Sequence, residues 1–327
     1  MSAHGDSKAV LAALAANLGI AVIKLAAWAL TGATSLLAEG VHSIADSGNQ
    51  ALLLLGAKRS RREATPEHPF GFGRERYVYA FVVSIVLFSV GGLFALYEAW
   101  HKLSEVRAGH KDQLLESRWW WIPIVVLAVA IVMEGLSFRT AVRESNRSRG
   151  HRSWVAFVRG AKSPELPVVL LEDFAALLGL VFALLGVGLT LITRNAVFDV
   201  IGAAAIGVLL VSVAVVLAIE MKSLLIGESA SRQSIDAIRA ALSGTDGVED
   251  IIHLKTLHLG PDELLVTAKI AVVHDDSAAA VAAAIDAAER AIRAAEPAAQ
   301  EIFLEPDLHR HDYAPSRRPG TAASAGD

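Results

Sequence analysis

Six long apolar segments run through the chain between residues 10 and 219, and they restrict the folds that are open to it. A helix needs about 20 mainly apolar residues to cross the roughly 30 Å of hydrocarbon in a bilayer. The sequence therefore predicts an α-helical membrane protein. Its six transmembrane helices are expected at Val10–Leu30, Ser35–Ala57, Tyr77–Tyr97, Trp119–Leu136, Pro167–Ile192 and Ala196–Ile219.

The composition agrees with a membrane protein. Of the 327 residues, 54% are hydrophobic and only 6% are aromatic, so that Ala, Leu, Val and Ile carry the apolar content. The chain has no cysteine, which excludes disulfides and thiolate metal sites. Any metal ion must therefore be held by His, Asp, Glu or backbone oxygen. The net charge of −4 says little about partners, and we expect no nucleic acid among them.

The distribution of basic residues predicts how the helices are oriented. The loops after the second and fourth segments are rich in Arg and Lys. The turn after the first segment has no basic residue, and the turn after the fifth has only Arg194. Cytoplasmic loops carry the excess of basic residues in membrane proteins. We therefore expect both termini in the cytoplasm. The Ala-rich chain, without an Arg-rich transit peptide, indicates a bacterial plasma membrane.

The composition changes near Glu228, where a small α+β domain is predicted to begin. The residue pattern predicts a helix, two strands joined by a Gly-Pro-Asp turn, a second helix and a last strand. These elements are expected at Ser231–Leu242, Glu249–Leu259, Glu263–Val273, Ser277–Ala295 and Gln300–Glu305. We therefore expect a membrane domain over 1–225, a cytoplasmic domain over 228–308 and a disordered tail over 309–327.

Two ionisable residues in the second segment indicate a metal site. His42 and Asp46 are four residues apart, so they share one face of a helix. Each costs at least a few kcal/mol inside a bilayer unless something compensates, and a metal ion bound by imidazole and carboxylate would do so. Glu172 and Asp173 in the fifth segment would bring further carboxylates to a four-coordinate site.

A structural interpretation of the buried polar residues is also open, because such residues in membrane bundles can simply bond across helices. We favour that interpretation for Glu134, which stands near the cytoplasmic end of the fourth segment. The same holds for Asn17 and Lys24 in the first segment, where Lys24 is expected to snorkel or to pair inside the bundle.

Several motifs resemble those of the cation diffusion facilitator family. The stretch AEGVHSIADSGNQ, which contains His42 and Asp46, is similar to the H/D-x-x-x-D pair of that family's second helix. The loop HPFGFGRERY (68–77) resembles its H-P-x-G-x-G-R-x-E segment, and FLEP (303–306) resembles its final strand. The run VVLLEDFAALLG around Asp173 looks like the zinc-transporter-nine-like branch. The resemblance covers about residues 8–308.

The resemblance implies a homodimer in the lipid bilayer, with six membrane helices and a ferredoxin-like cytoplasmic domain in each protomer. It also implies proton-coupled efflux of a divalent cation, and it makes His42, Asp46 and Asp173 ligands of that ion. Zinc members usually carry H-x-x-x-D in helix five, where this chain has Val169. The fourth ligand is then Glu172, water or another residue. Zn²⁺ is the first choice as substrate, with Mn²⁺, Fe²⁺ or Co²⁺ as alternatives.

Two other classes of function compete with transport. One is a membrane-embedded metal hydrolase that uses His42, Asp46 and Asp173, although the sequence contains no H-E-x-x-H signature. The other is a dimeric scaffold that transports nothing and whose buried charges only pair with one another. We expect a transporter and not an enzyme.

Overall fold

The computed structural model describes residues 3–110, 112–274 and 276–308, with the side chains of residues 3–16 left out. The tail predicted over 309–327 lies outside the described residues. Contacts divide the chain into two compact units. The first extends to Glu228 and includes His258–Asp262, and the second contains Ser229–Leu257 and the residues from Glu263 onwards.

The first unit is built from helices. They are α1 (Ala3–Thr31), α2 (Thr34–Arg59), α3 (Glu75–Val86), α4 (Phe94–Arg107), α5 (Gln113–Glu116), α6 (Ile122–Arg149), α7 (Trp154–Gly160), α8 (Glu165–Thr193) and α9 (Val197–Ile226). A π-helical segment, Leu87–Leu93, joins α3 to α4, so that the two form one continuous helix.

Within the described part of the chain, four helices are long and apolar enough to cross a membrane: Glu75–Arg107, α6, α8 and α9. Of α1, the part whose side chains the structure describes, Asn17–Thr31, is an apolar helix too short to be counted with these four. In α2 the residues Glu39, His42 and Asp46 lower the mean hydropathy, because each replaces an apolar side chain. Length and composition thus identify four of the six predicted spans, and α1 and α2 are the remaining two.

The core of the first unit lies where α2, the π-helical segment, α8 and α9 meet. Leu36, Leu87, Leu180 and Leu210, one from each, are completely buried there. Helices α8 and α9 approach closely through glycine, since a Cβ atom on Gly186 would lie 3.0 Å from a carbonyl oxygen of α9. Such small residues let membrane helices pack backbone against backbone.

The N-terminus of α2 is capped by a side chain from another helix. Asp199 of α9 accepts hydrogen bonds from the backbone N–H of Thr34 at 2.7 Å and of Ser35 at 3.3 Å, and from the Ser35 hydroxyl. The first N–H groups of a helix have no partner within the helix, and a carboxylate there is favourable. This cap holds the beginning of α2 against α9.

The second unit contains a small sheet and two helices, in the predicted order. They are α10 (Arg232–Ser243), β1 (Val248–Gly260), β2 (Glu263–Val272), α11 (Ala278–Ala295) and β3 (Ala299–Asp307). The strands lie in the order β1-β2-β3, with β2 and β3 parallel. Ser231 and Ser277, at which the two predicted helices begin, cap them by accepting hydrogen bonds from backbone N–H groups.

Candidate cation site

A small cavity of about 20 Å³ lies among α1, α2, α6 and α8, with room for one water-sized group. Four carboxylate side chains line it: Asp46 from α2, Glu134 from α6, and Glu172 and Asp173 from α8. The remaining lining residues are Asn17, Ile20, Ser43, Gln50, Ser137 and Val169. Three helices that are far apart in the sequence therefore bring acidic groups to one place.

Helix α2 places His42 and Asp46 side by side, as their spacing predicts. His42 Nδ1 is 3.3 Å from Asp46 Oδ1, and the His42 side chain is 1% exposed. Among the described residues neither ring nitrogen of His42 has a hydrogen-bond partner, because the contact with Asp46 lacks hydrogen-bond geometry. Asp46 lines the cavity, whereas His42 is not among its lining residues.

Glu172 and Asp173 are neighbours on α8 and point about 100° apart, as adjacent helical residues do. Both nevertheless line the cavity, and each is held by a different helix. Asn49 of α2 donates a 2.7 Å hydrogen bond from Nδ2 to Glu172 Oε1. Ser137 of α6 donates a 2.9 Å bond from its hydroxyl to Asp173 Oδ2. The two carboxylates are thus oriented separately.

Three residues at this site received no functional role in the sequence analysis. Glu134 and Ser137 stand three residues apart on α6, on the same face, and both line the cavity. That spacing indicates that they share a face of α6, but not that this face meets α8. Asn49 is fully buried and lies one turn from Asp46. Val169 also lines the cavity, where its apolar side chain offers no ligand.

The acidic groups converge without forming a closed coordination shell. Within residues 3–110, 112–274 and 276–308, no three His, Asp or Glu side chains are close enough together to hold a metal ion. Negative charges brought together in a low-dielectric interior repel one another. A cation that enters the cavity would remove that repulsion and allow the carboxylates to close around it.

Comparison with known proteins identifies relatives over most of the chain. Residues 10–226 match the family described as the cation efflux transmembrane domain. The chain is 33% identical to the proton-coupled zinc antiporter SLC30A9, mitochondrial, of Xenopus laevis over 273 residues, which is 83% of this chain and 47% of the relative. The human protein of the same name is 31% identical over 268 residues, 81% of this chain and 46% of the relative.

A plant protein is also similar: metal tolerance protein C4 of Arabidopsis thaliana is 26% identical over 267 residues, 81% of this chain and 57% of the relative. The chain spans about half the length of these curated relatives. The bacterial plasma membrane expected from the sequence was wrong on this comparison, because the SLC30A9 relatives are named as mitochondrial proteins. The reason is physical, since the composition of apolar helices does not distinguish one membrane from another.

Proposed function

The chain belongs to the cation efflux family, and we propose that it moves a divalent cation, Zn²⁺ first, across its membrane in exchange for protons. The members of this family are transporters, so the chain is not an enzyme and the hydrolase alternative is set aside. Its relatives named as proton-coupled zinc antiporters support both the ion and the exchange.

One observation carries the proposal: Asp46, Glu172 and Asp173 meet at one cavity inside the part of the chain that matches the family. We propose these three carboxylates as ligands of the transported ion, with His42 supplying an imidazole from beside Asp46. Nitrogen and oxygen ligands in a tetrahedral arrangement suit Zn²⁺. A site dominated by carboxylates also admits Mn²⁺, Fe²⁺ or Co²⁺.

The chemistry of these ligands supports proton exchange. A metal ion binds neutral imidazole and ionised carboxylate, so its binding displaces protons from the site. Protons that arrive from the opposite side reverse this step and release the ion. His42 and the carboxylates can thus carry either the cation or protons in turn, and a proton gradient would set the direction of net metal movement.

We propose that α1 and α2 also cross the membrane, which makes six spans. The 26 residues of α2 extend for about 39 Å at 1.5 Å per residue, more than the roughly 30 Å that a span needs. Its residues Glu39, His42 and Asn49 are buried, which keeps them away from lipid. The basic loops after α2 and α6 support cytoplasmic termini.

The second unit is proposed to be a ferredoxin-like cytoplasmic domain that holds two protomers together. Its order of elements, helix, strand, strand, helix and strand, supports this assignment. Phe303 on β3 is 54% exposed, which leaves an aromatic side chain on the sheet for contact with a second copy. The membrane domain over 1–225 and this domain over 228–308 would then work as one dimeric transporter.

Zinc flux into proteoliposomes tests the function. Purified protein should move Zn²⁺ when a pH gradient is imposed, and Asp46→Asn and Asp173→Asn should each lower the rate by about a hundredfold or more, because an amide is neutral and a poor metal ligand. Asp236→Asn, at an exposed position on α10, is the matched control and should transport like the wild type. Absence of wild-type flux, or normal flux in both site variants, would refute the proposal.

A further inference from the structure

A buried lysine lies beside the candidate cation site. Lys24 of α1 donates hydrogen bonds from Nζ to Glu39 Oε2 at 3.1 Å and to the Ser43 hydroxyl at 2.8 Å, both on α2. The side chains of Lys24 and Glu39 are 2% and 0% exposed. Ser43 lines the cavity that contains Asp46. An ammonium group therefore sits one hydrogen bond away from the wall of a cavity lined with carboxylates.

The surrounding helices leave room for this ion pair. A Cβ atom on Gly179 of α8 would overlap Glu39 Oε1, so only glycine admits the carboxylate in this position. Glu39 Oε1 has no hydrogen-bond partner among the described residues. Apolar residues of similar volume often stabilise a protein as well as a buried ion pair does. The stability of the helix packing therefore does not by itself explain why Lys24 and Glu39 are charged residues.

We propose that Lys24 is a built-in counter-cation that lowers the affinity of the site for its divalent ion, and that Glu39 balances part of this charge. The inference rests on the transport function proposed above. A site of several carboxylates in a low-dielectric interior attracts a divalent cation strongly. Transport requires binding that is weak enough for the ion to leave. The fixed ammonium group supplies a repulsion that favours release.

The two members of the pair should act in opposite directions, which separates this role from a structural one. Lys24→Gln removes the positive charge and leaves the Glu39 carboxylate, so the site should bind Zn²⁺ about tenfold more tightly and release it more slowly. Glu39→Gln leaves the ammonium group unbalanced and should weaken binding by about tenfold. An ion pair that only holds α1 against α2 predicts the same loss of stability for both variants and no opposite shift.

The experiment measures equilibrium Zn²⁺ binding to the purified full chain by calorimetry, and KM and kcat for Zn²⁺ flux in proteoliposomes. Lys24→Gln should lower both the Kd and kcat, Glu39→Gln should raise the Kd, and Lys24→Arg should keep the wild-type values because it keeps the charge. Lys102→Gln is the matched control, since Lys102 forms an equally long 3.1 Å ion pair with Asp112, largely shielded from solvent, and neither residue lines the cavity.

Each outcome decides between the proposals. Unchanged Kd in Lys24→Gln and Glu39→Gln, or shifts of the same sign, would overturn the counter-cation role while leaving transport by the wild type intact. Opposite shifts in Kd without any wild-type flux would refute the transport function alone. Should Lys24→Gln fail to fold, the Glu39→Gln variant still tests whether the Kd for Zn²⁺ rises. The double variant Lys24→Gln/Glu39→Gln should then have a Kd closer to the wild-type value.

Discussion

Asn49 on α2 donates a 2.7 Å hydrogen bond to Glu172 on α8, and so joins the helix of His42 and Asp46 to the helix that carries Glu172 and Asp173. Both residues are almost completely buried: the exposed fraction is 0% for Asn49 and 4% for Glu172. The bond ties one oxygen of Glu172 to α2 at the edge of the cavity. Asn49 is in this sense a positioning residue for Glu172.

Replacement of Asn49 by leucine, which is similar in size but cannot donate, should leave Glu172 Oε1 without this bond. A buried carboxylate that loses a donor costs about 1–3 kcal/mol of stability, and a misplaced Glu172 should raise the KM for Zn²⁺. Thermal unfolding in detergent and Zn²⁺ flux measure the two effects. Asn146→Leu, at an exposed position on α6, removes only the bonds that Asn146 accepts from Arg149 and is the control: it should leave KM unchanged and cost less stability.

The Asp199 cap predicts a second effect, on stability. Asp199→Ala removes every hydrogen bond that the carboxylate accepts from Thr34 and Ser35, and should lower the free energy of unfolding by about 1–2 kcal/mol. Asp199→Asn retains an acceptor oxygen and should cost less. Denaturant unfolding of the detergent-solubilised protein measures both. Equal stability of Asp199→Ala and the wild type would contradict the capping role.

Gly179 and Gly188 on α8 form a matched pair for a third prediction. A Cβ atom at Gly179 would overlap Glu39 Oε1, whereas one at Gly188 meets nothing within 4 Å. Gly179→Ala should therefore displace Glu39 and destabilise the protein by about 1–3 kcal/mol. Gly188→Ala should be neutral or slightly stabilising, because alanine favours the helix. Thermal unfolding of both variants makes the comparison, and similar midpoints would contradict the prediction by showing that the Glu39 carboxylate moves aside at little cost.

Local patterns were enough to predict a good part of this molecule. The contact between His42 and Asp46 follows from the helical period alone, because residues four apart share a face. In the second unit, Ser231 and Ser277 indicate where the helices begin, since each is a capping residue in front of an amphipathic run. These features depend on neighbours in the sequence, and the structure has the elements of the second unit at nearly the predicted bounds.

What the sequence could not predict depends on which helix faces meet. The bond between Asn49 and Glu172 joins residues that are 123 positions apart. Glu134 reaches the cavity only because α6 packs beside α8, and no local pattern indicates that packing. The sequence also predicted α2 as a span, but α2 is not among the four helices that are apolar enough to cross a membrane, because Glu39, His42 and Asp46 lower its hydropathy.

The position of Val169 leads to a last prediction, on ion selectivity. Val169 lines the cavity four residues before Asp173, where zinc members of the family usually carry histidine. Val169→His should place an imidazole in the site, and a nitrogen ligand favours Zn²⁺ over harder ions such as Mn²⁺. We expect the ratio of Zn²⁺ to Mn²⁺ flux in competition assays to rise by about tenfold, which corresponds to 1.4 kcal/mol. Val169→Leu fills the same space without a ligand and should leave the ratio unchanged. A ratio that rises equally in both variants would mean that volume, and not the donor atom, sets the preference.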